Sequence, residues 1–235
     1  MKRPLWGISA YNKTIHMRYV LYFFYLAWYW GLDVAIFIIE HEIRGERRFG
    51  VRTIGLHHLP EHLPEQERKH FSFYEPVNYY SATTLFDQLT PADKQTTLLD
   101  VGCGRGRVLA IGAGYGFKDI IGIDFSEALC EEAADNAEKV EDRHPGTHIT
   151  IEWIDARYYD IPARVGVIFL FNPFDGTVME TFIVKVLQSL EQHPRPMKIL
   201  YANPQFKHLW QDAGFTESAT FVKKDMLRGC VLERP

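Results

Sequence analysis

A chain of 235 residues with a formal net charge of −4 has room for one α/β domain plus an appendage, with a core of ordinary size. That charge argues against broad binding along a phosphate backbone, so a protein or small-molecule partner is favoured over nucleic acid. Its cysteines, Cys103, Cys130 and Cys230, are far apart and odd in number, which speaks against a disulfide frame or a zinc cluster and for free thiols in a reducing, cytoplasmic setting.

Residues 1–18 carry Lys2, Arg3, Lys13 and Arg18 and no acid. An uncharged, aromatic run covers residues 19–32; Asp33 interrupts it, and residues 34–39 continue it as far as Glu40, His41 and Glu42. The basic lead is too long for a signal peptide and no small-residue cleavage site follows. A spanning helix wants about 20 apolar residues, a length reached here only by including Asp33. Two readings of residues 19–39 stay open. Their Tyr and Trp rings suit a membrane interface, where ring and polar tip sit in different media. The reading given more weight is a helix, broken near Gly31, that packs on the rest of the chain or on a second subunit.

Residues 1–50 are therefore expected to form an aromatic-rich helical extension, with residues 51–75 as a connector. Polar sequence begins already at residue 44, and Arg44, Arg47, Arg48 and Arg52 read as a solvated face. Within the connector His58-Leu-Pro-Glu61 is repeated as His62-Leu-Pro-Glu65. Pro60 and Pro64 forbid the helix that would stack the two histidines, so the expectation is an extended loop and no metal site. From Phe71 the pattern changes. Tyr79, Tyr80 and the periodic Leu85, Phe86 and Leu89 predict a helix, opening a domain over residues 76–235.

Leu98, Leu99 and Val101 then read as a buried strand, and Asp100-Val-Gly102-Cys-Gly104-Arg-Gly106 turns the chain into a helix beginning at Arg107. Glycine tolerates positive φ and lets a ligand lie on bare backbone, and free N–H groups at the helix start face that ligand. The dinucleotide fingerprint G-x-G-x-x-G would put its third glycine on Arg107, and the phosphate loop would need a following Gly-Lys-Ser/Thr. Neither fits. The pattern here is D-x-G-x-G-x-G, and in it the sequence resembles the class I S-adenosylmethionine (SAM)-dependent methyltransferases. Their ligand carries an ammonium and a carboxylate instead of a pyrophosphate, so an acid such as Asp100 is welcome beside the loop.

The resemblance implies a doubly wound, Rossmann-like α/β fold: a seven-stranded sheet ending in an antiparallel hairpin, here with the helical N-terminal extension added. It implies SAM as cofactor, held by Asp100, Gly102, Gly104 and Gly106. A second strand over residues 120–124 ends at Asp124, an acid placed to accept from both ribose hydroxyls, with Phe125 covering the adenine and Ser126 capping a helix over residues 127–138. A third strand, 149–154, ends at Asp155 and Ala156, where the family reads the adenine amino group and ring edge. Asp160 reads as loop chemistry. Tyr74, in the segment that many of these enzymes fold over the pocket, is a lid candidate.

Residues 165–171 are almost continuously apolar, as a strand buried on both faces should be, and they end in Asn172-Pro173-Phe174. In the resembled family an Asn/Asp/Ser-Pro-Pro-Tyr/Phe sequence stands here in the amino-methylating branch, its carbonyls receiving N–H from the target nitrogen and its ring packing on the substrate. One proline is absent, which brings this chain nearer the Asn-x-Phe arrangement of seven-strand lysine methyltransferases. Asn172, Pro173 and Phe174 are thus the catalytic candidates, with a nitrogen acceptor on a protein lysine or another amine. A small-molecule or nucleic-acid acceptor, or a SAM-binding module without catalysis, are the rival readings. A helix over 177–190, a strand over 197–202, a short helix over 205–212 and a hairpin of 215–223 with 229–233 complete the expected order.

Overall fold

Strands that are apolar on both faces must lie inside a sheet covered on both sides, and this sequence has several. The computed structural model describes residues 6–54 and 75–235, residues 6–16 as backbone only. Its sheet joins β1 (Thr97–Val101), β2 (Asp119–Asp124), β3 (His148–Trp153), β4 (Val165–Phe171), β5 (Met197–Ala202), β6 (Thr216–Lys223) and β7 (Leu227–Arg234) in the order β3-β2-β1-β4-β5-β7-β6. Strands β1 to β5 are mutually parallel, and β7 pairs antiparallel with both β5 and β6. The order reverses between β1 and β4, so a crevice opens at their carboxyl ends, where doubly wound sheets bind ligands.

Side chains alternate across the sheet and feed two cores. Leu98, Ile120, Val167 and Phe169 enter one, under α3 (Tyr79–Phe86), α4 (Arg107–Tyr115) and α5 (Glu127–Arg143). Leu99, Ile121, Ile168 and Leu170 enter the other, under α6 (Gly176–Gln192) and α7 (Lys207–Asp212). Every expected strand and helix of the domain is present. Ser126 stands at the N-cap of α5 but makes no side-chain cap bond; Asp124 Oδ1 instead accepts the Ser126 N–H at 2.9 Å. The three thiols are free and buried.

The N-terminal extension is a helix pair, α1 (Trp6–Trp30) and α2 (Leu32–Phe49), broken at Gly31, whose φ of 89° only glycine adopts readily. Leu26 of α1 packs with Val34, Ala35 and Ile38 of α2 and Leu227 at the start of β7. At the other end of α2, Phe49 stacks on Tyr79 with ring centroids 5.8 Å apart. The polar sequence from residue 44 continues α2 as far as Phe49, which is a core residue. Arg44, Arg47, Arg48 and Arg52 are exposed, as a solvated face should be, while Val51, Thr53 and Ile54 around Arg52 are buried. No described helix is long and apolar enough to cross a membrane. The His58/His62 repeat and Tyr74 lie outside the described residues.

Candidate active site

All three glycines of the loop after β1 take the left-handed conformation, with φ of 74° at Gly102, 52° at Gly104 and 80° at Gly106. The loop is tied to the end of β2. Gly102 and Cys103 both donate their N–H to the Ile123 carbonyl, at 2.9 and 3.0 Å, and Gly104 N–H donates to Asp124 Oδ2 at 2.9 Å. A carboxylate offers about four lone-pair directions. The Gly104 and Ser126 amides use two of them, which leaves acceptor capacity for the two hydroxyls of a ribose. Burial holds the Asp124 carboxyl above its usual range, against the pull of these backbone N–H groups.

Asp100, the last acid of β1, is buried, and its Oδ2 has no hydrogen-bond partner. Burial and the neighbouring Asp124 charge push its carboxyl well above the usual range. An orphaned buried acceptor beside a second acid is costly unless something cationic or N–H-bearing completes it. A ligand with an ammonium and a sulfonium does that, so the residues present fit SAM. Cys103 between the glycines is no nucleophile: burial and the two acids push its thiol well up.

The arginines of this loop reach back to the extension. Arg107, buried at the start of α4, makes a two-pronged ion pair with the fully buried Glu42 of α2, both distances 2.8 Å. It also donates to Thr53 Oγ1 at 2.6 Å and to the Val77 carbonyl at 2.7 Å, and lies over the Tyr79 ring at 4.3 Å. Arg105 donates to the Ile54 carbonyl at 3.2 Å and pairs with Glu132 at 2.9 Å. Sequence reading passed over Glu42 and Thr53. The buried demand of two loop arginines for acids elsewhere was the signal for them.

Asn172 and Pro173 adjoin this loop across the switch point: a Cβ on Gly102 would stand 3.0 Å from Pro173 Cβ. Asn172 is itself left-handed, with φ of 43°, and so is Asn203 at the end of β5, with φ of 49°. The Asn172 Oδ1 accepts from Asn203 Nδ2 at 3.1 Å and from Gln205 Nε2 at 3.3 Å. Adjacent strands thus end in the same Asn-Pro pair, Asn172-Pro173 and Asn203-Pro204, a repeat that marks Asn203 in the sequence and went unread.

A cavity of about 190 Å³ opens beside Asn172 and Asn203. Tyr22, Trp30 and Ile38 of the N-terminal helices form one wall, and Glu75 contributes a carboxyl. Burial raises the carboxyl of Glu75 above its usual range.

The other candidates are placed less centrally. Phe174 was expected to pack on a substrate, but it is buried in the α6 core with its ring 6.0 Å from that of Phe182, because the chain after Pro173 turns inward to start α6. The Asp155 carboxylate caps a short turn at the Arg157 N–H (2.8 Å) and grips the Arg157 guanidinium, the shorter contact being 2.6 Å, so an adenine amino group would have to share it. Ala156 is buried in that turn. Phe125 is half-buried at the rim, its carbonyl accepting the Trp153 indole N–H at 2.9 Å. Asp160 is exposed and pairs with Lys185. No group of His, Cys, Asp and Glu among the described residues could hold a metal ion.

The methyltransferase-domain family matches residues 98–196. Ribosomal protein L11 methylase from Lactobacillus delbrueckii subsp. bulgaricus shares the fold at 17% identity, over 68% of this chain and 80% of that one, with a TM-score of 0.50. A SAM-dependent methyltransferase from Aquifex aeolicus does so at 13% identity, over 72% of this chain and 93% of that one, also with a TM-score of 0.50. No curated protein matches the chain in sequence.

Proposed function

We infer, from the premise that this chain is a SAM-dependent methyltransferase, its methyltransferase-domain match covering residues 98–196, that it methylates a nitrogen delivered into the cavity beside Asn172. The supporting observation is that cavity: it holds a carboxyl and an amide pair, and Pro173, next to Asn172 in its wall, packs over Gly102 of the cofactor loop.

When bound, SAM supplies a methyl group on a positively charged sulfur. The chain's own residues do the rest. The glycine loop offers bare backbone, Asp124 retains lone pairs for the ribose, and the unpartnered oxygen of Asp100 receives a cation or N–H. Asn172 orients the acceptor: its Oδ1 is already held by Asn203 and Gln205, and the longer Gln205 bond is the one an incoming N–H displaces. An amine must react unprotonated, and the Glu75 carboxyl, raised by burial, can hold the proton it sheds. Aligning the two reactants and excluding water behind Tyr22 and Trp30 accounts for most of the acceleration. The acceptor is a protein lysine or a small amine in preference to a nucleic acid, in keeping with the net charge of −4.

The test is product chemistry. Purified protein is incubated with methyl-labelled SAM and fractions of protein, small molecules, lipid and nucleic acid. N-methyl products survive base, whereas methyl esters are hydrolysed. Base-stable label in the protein or small-molecule fraction supports the reading; base-labile label, or label confined to nucleic acid, overturns it.

A further inference from the structure

Over its described side chains, from Met17 on, helix α1 is apolar on two opposite sides, and only one of them is covered. Leu26 faces α2 and is fully buried, with Tyr22 and Trp30 turned towards the cavity. On the opposite side Met17, Leu21, Phe24 and Trp28 recur at i, i+4, i+7 and i+11 and stand in solvent, Trp28 at 84% exposure. Leu32 and Ile36 continue this exposed surface onto α2. A helix that is apolar all round belongs between two apolar partners. So large a contiguous patch on the outside of a protein marks a contact surface.

Three observations choose the partner. In the sequence the stripe keeps its four-three-four spacing for under two heptads, because the positions that would extend it upstream are Thr14, Ala10 and Gly7 and Gly31 breaks the helix downstream, whereas a coiled-coil seam needs about three or four; a second copy of this chain is therefore a poor occupant. Residues 1–32 contain Lys2, Arg3, Lys13 and Arg18 and no Asp or Glu, in a chain whose net charge is −4; that end carries net positive charge and attracts anions. Finally, no described helix can cross a bilayer, yet Trp28 and Tyr29 belong to the residue types that settle at its interface. A basic, aromatic helix that cannot span lies in the plane of the interface.

We propose that the outward face of α1 and the start of α2 docks on an anionic phospholipid surface, with Phe24 and Trp28 entering the headgroup–acyl boundary. The orientation follows. The inward face of the same helix walls the acceptor cavity, so docking sets that cavity close to the membrane plane.

The experiment uses the full chain and sedimentation with vesicles, either pure phosphatidylcholine or phosphatidylcholine mixed with phosphatidylglycerol. The protein should sediment with the anionic vesicles and much less with the neutral ones. The double substitution Phe24→Ser with Trp28→Ser should reduce the vesicle-bound fraction by about tenfold or more, since binding scales with inserted apolar area. Because both side chains are exposed, the variant should keep its melting temperature and SAM affinity. Three results would overturn the proposal: no sedimentation of the wild-type chain with anionic vesicles, equal sedimentation of the double variant, or a dimer in solution that the double substitution abolishes without any vesicle binding by the wild type.

Discussion

The two halves of the carboxyl edge bend the backbone in the same way with different residues. After β1 the left-handed positions are Gly102, Gly104 and Gly106; after β4 and β5 they are Asn172 and Asn203. Glycine takes that conformation freely and leaves backbone bare for a ligand. Asparagine takes it with some strain but keeps an amide, and here the two amides bond to each other. The cofactor half is a knot local in sequence, closed by Asp124 only twenty residues beyond Gly104. The acceptor half is gathered from α1, α2, Glu75 and the ends of β4, β5 and β7. A site built this way lets the acceptor vary through remote segments while the cofactor loop stays as it is.

The N-terminal helices belong to both halves, and the sharpest way to break the comparison is to cut that link. Glu42→Ala leaves the buried Arg107 cation, at the first turn after Gly106, without the carboxylate that balances its charge. Loss of one partner from such a pair costs about 3–5 kcal/mol of stability, measurable by urea unfolding, and SAM affinity should fall with it. Replacing both residues together, Glu42→Leu with Arg107→Met, should restore most of the stability, since apolar replacements of a buried pair are often neutral. If Glu42→Ala unfolds no more easily than the wild type, the extension does not brace the loop.

Within the domain the halves should separate kinetically. If Asn172 contacts the acceptor and not SAM, as proposed, Asn172→Ala should lower turnover by about 10²-fold, near 3 kcal/mol of lost alignment, while SAM affinity holds. Asp124→Ala should instead weaken SAM binding, by about 1.5–3 kcal/mol, the range for hydrogen bonds to a charged group, because it also frees the Gly104 and Ser126 amides. Calorimetry with SAM and steady-state turnover on both variants distinguish the two. Equal loss of SAM affinity in both would merge the halves into one structural unit.

How much of this was legible followed the same division. The D-x-G-x-G-x-G loop, Asp124 and the apolar strands are local patterns, and each fell where the sequence put it. Phe174 was misplaced because a motif gives a position in the chain, while the side chain's direction depends on the turn into α6. Glu42 looked like the polar end of an apolar run; only the folded chain sets it against Arg107, some 65 positions away. The break at Gly31 was readable, since glycine interrupts an otherwise helical run. What lies on the outer side of α1 was not, because an aromatic helix reads alike whether it faces a core or an interface.

The smallest expected effect concerns Glu75, and it sharpens the acceptor half by giving it a pH signature. Its folded carboxyl is held above the ordinary value of 4.5 by burial. A group raised in this way contributes stability that is fully present below its unfolded value and is lost as pH rises through the folded one. Glu75→Gln removes the titration. Compared with the variant, the wild type should therefore match or exceed it in stability at pH 4 and fall behind at pH 8, read as the difference between their urea midpoints. Other buried carboxyls, Glu42, Asp100 and Asp124 among them, titrate in both proteins and cancel in that difference. A cationic amine in the cavity reverses the preference, because it stabilises the ionised carboxyl. With the true acceptor present the wild type should regain stability at pH 8, and Glu75→Gln should raise the acceptor's KM with SAM affinity unchanged. An identical pH profile in the two proteins would place Glu75 in water, outside the acceptor's reach.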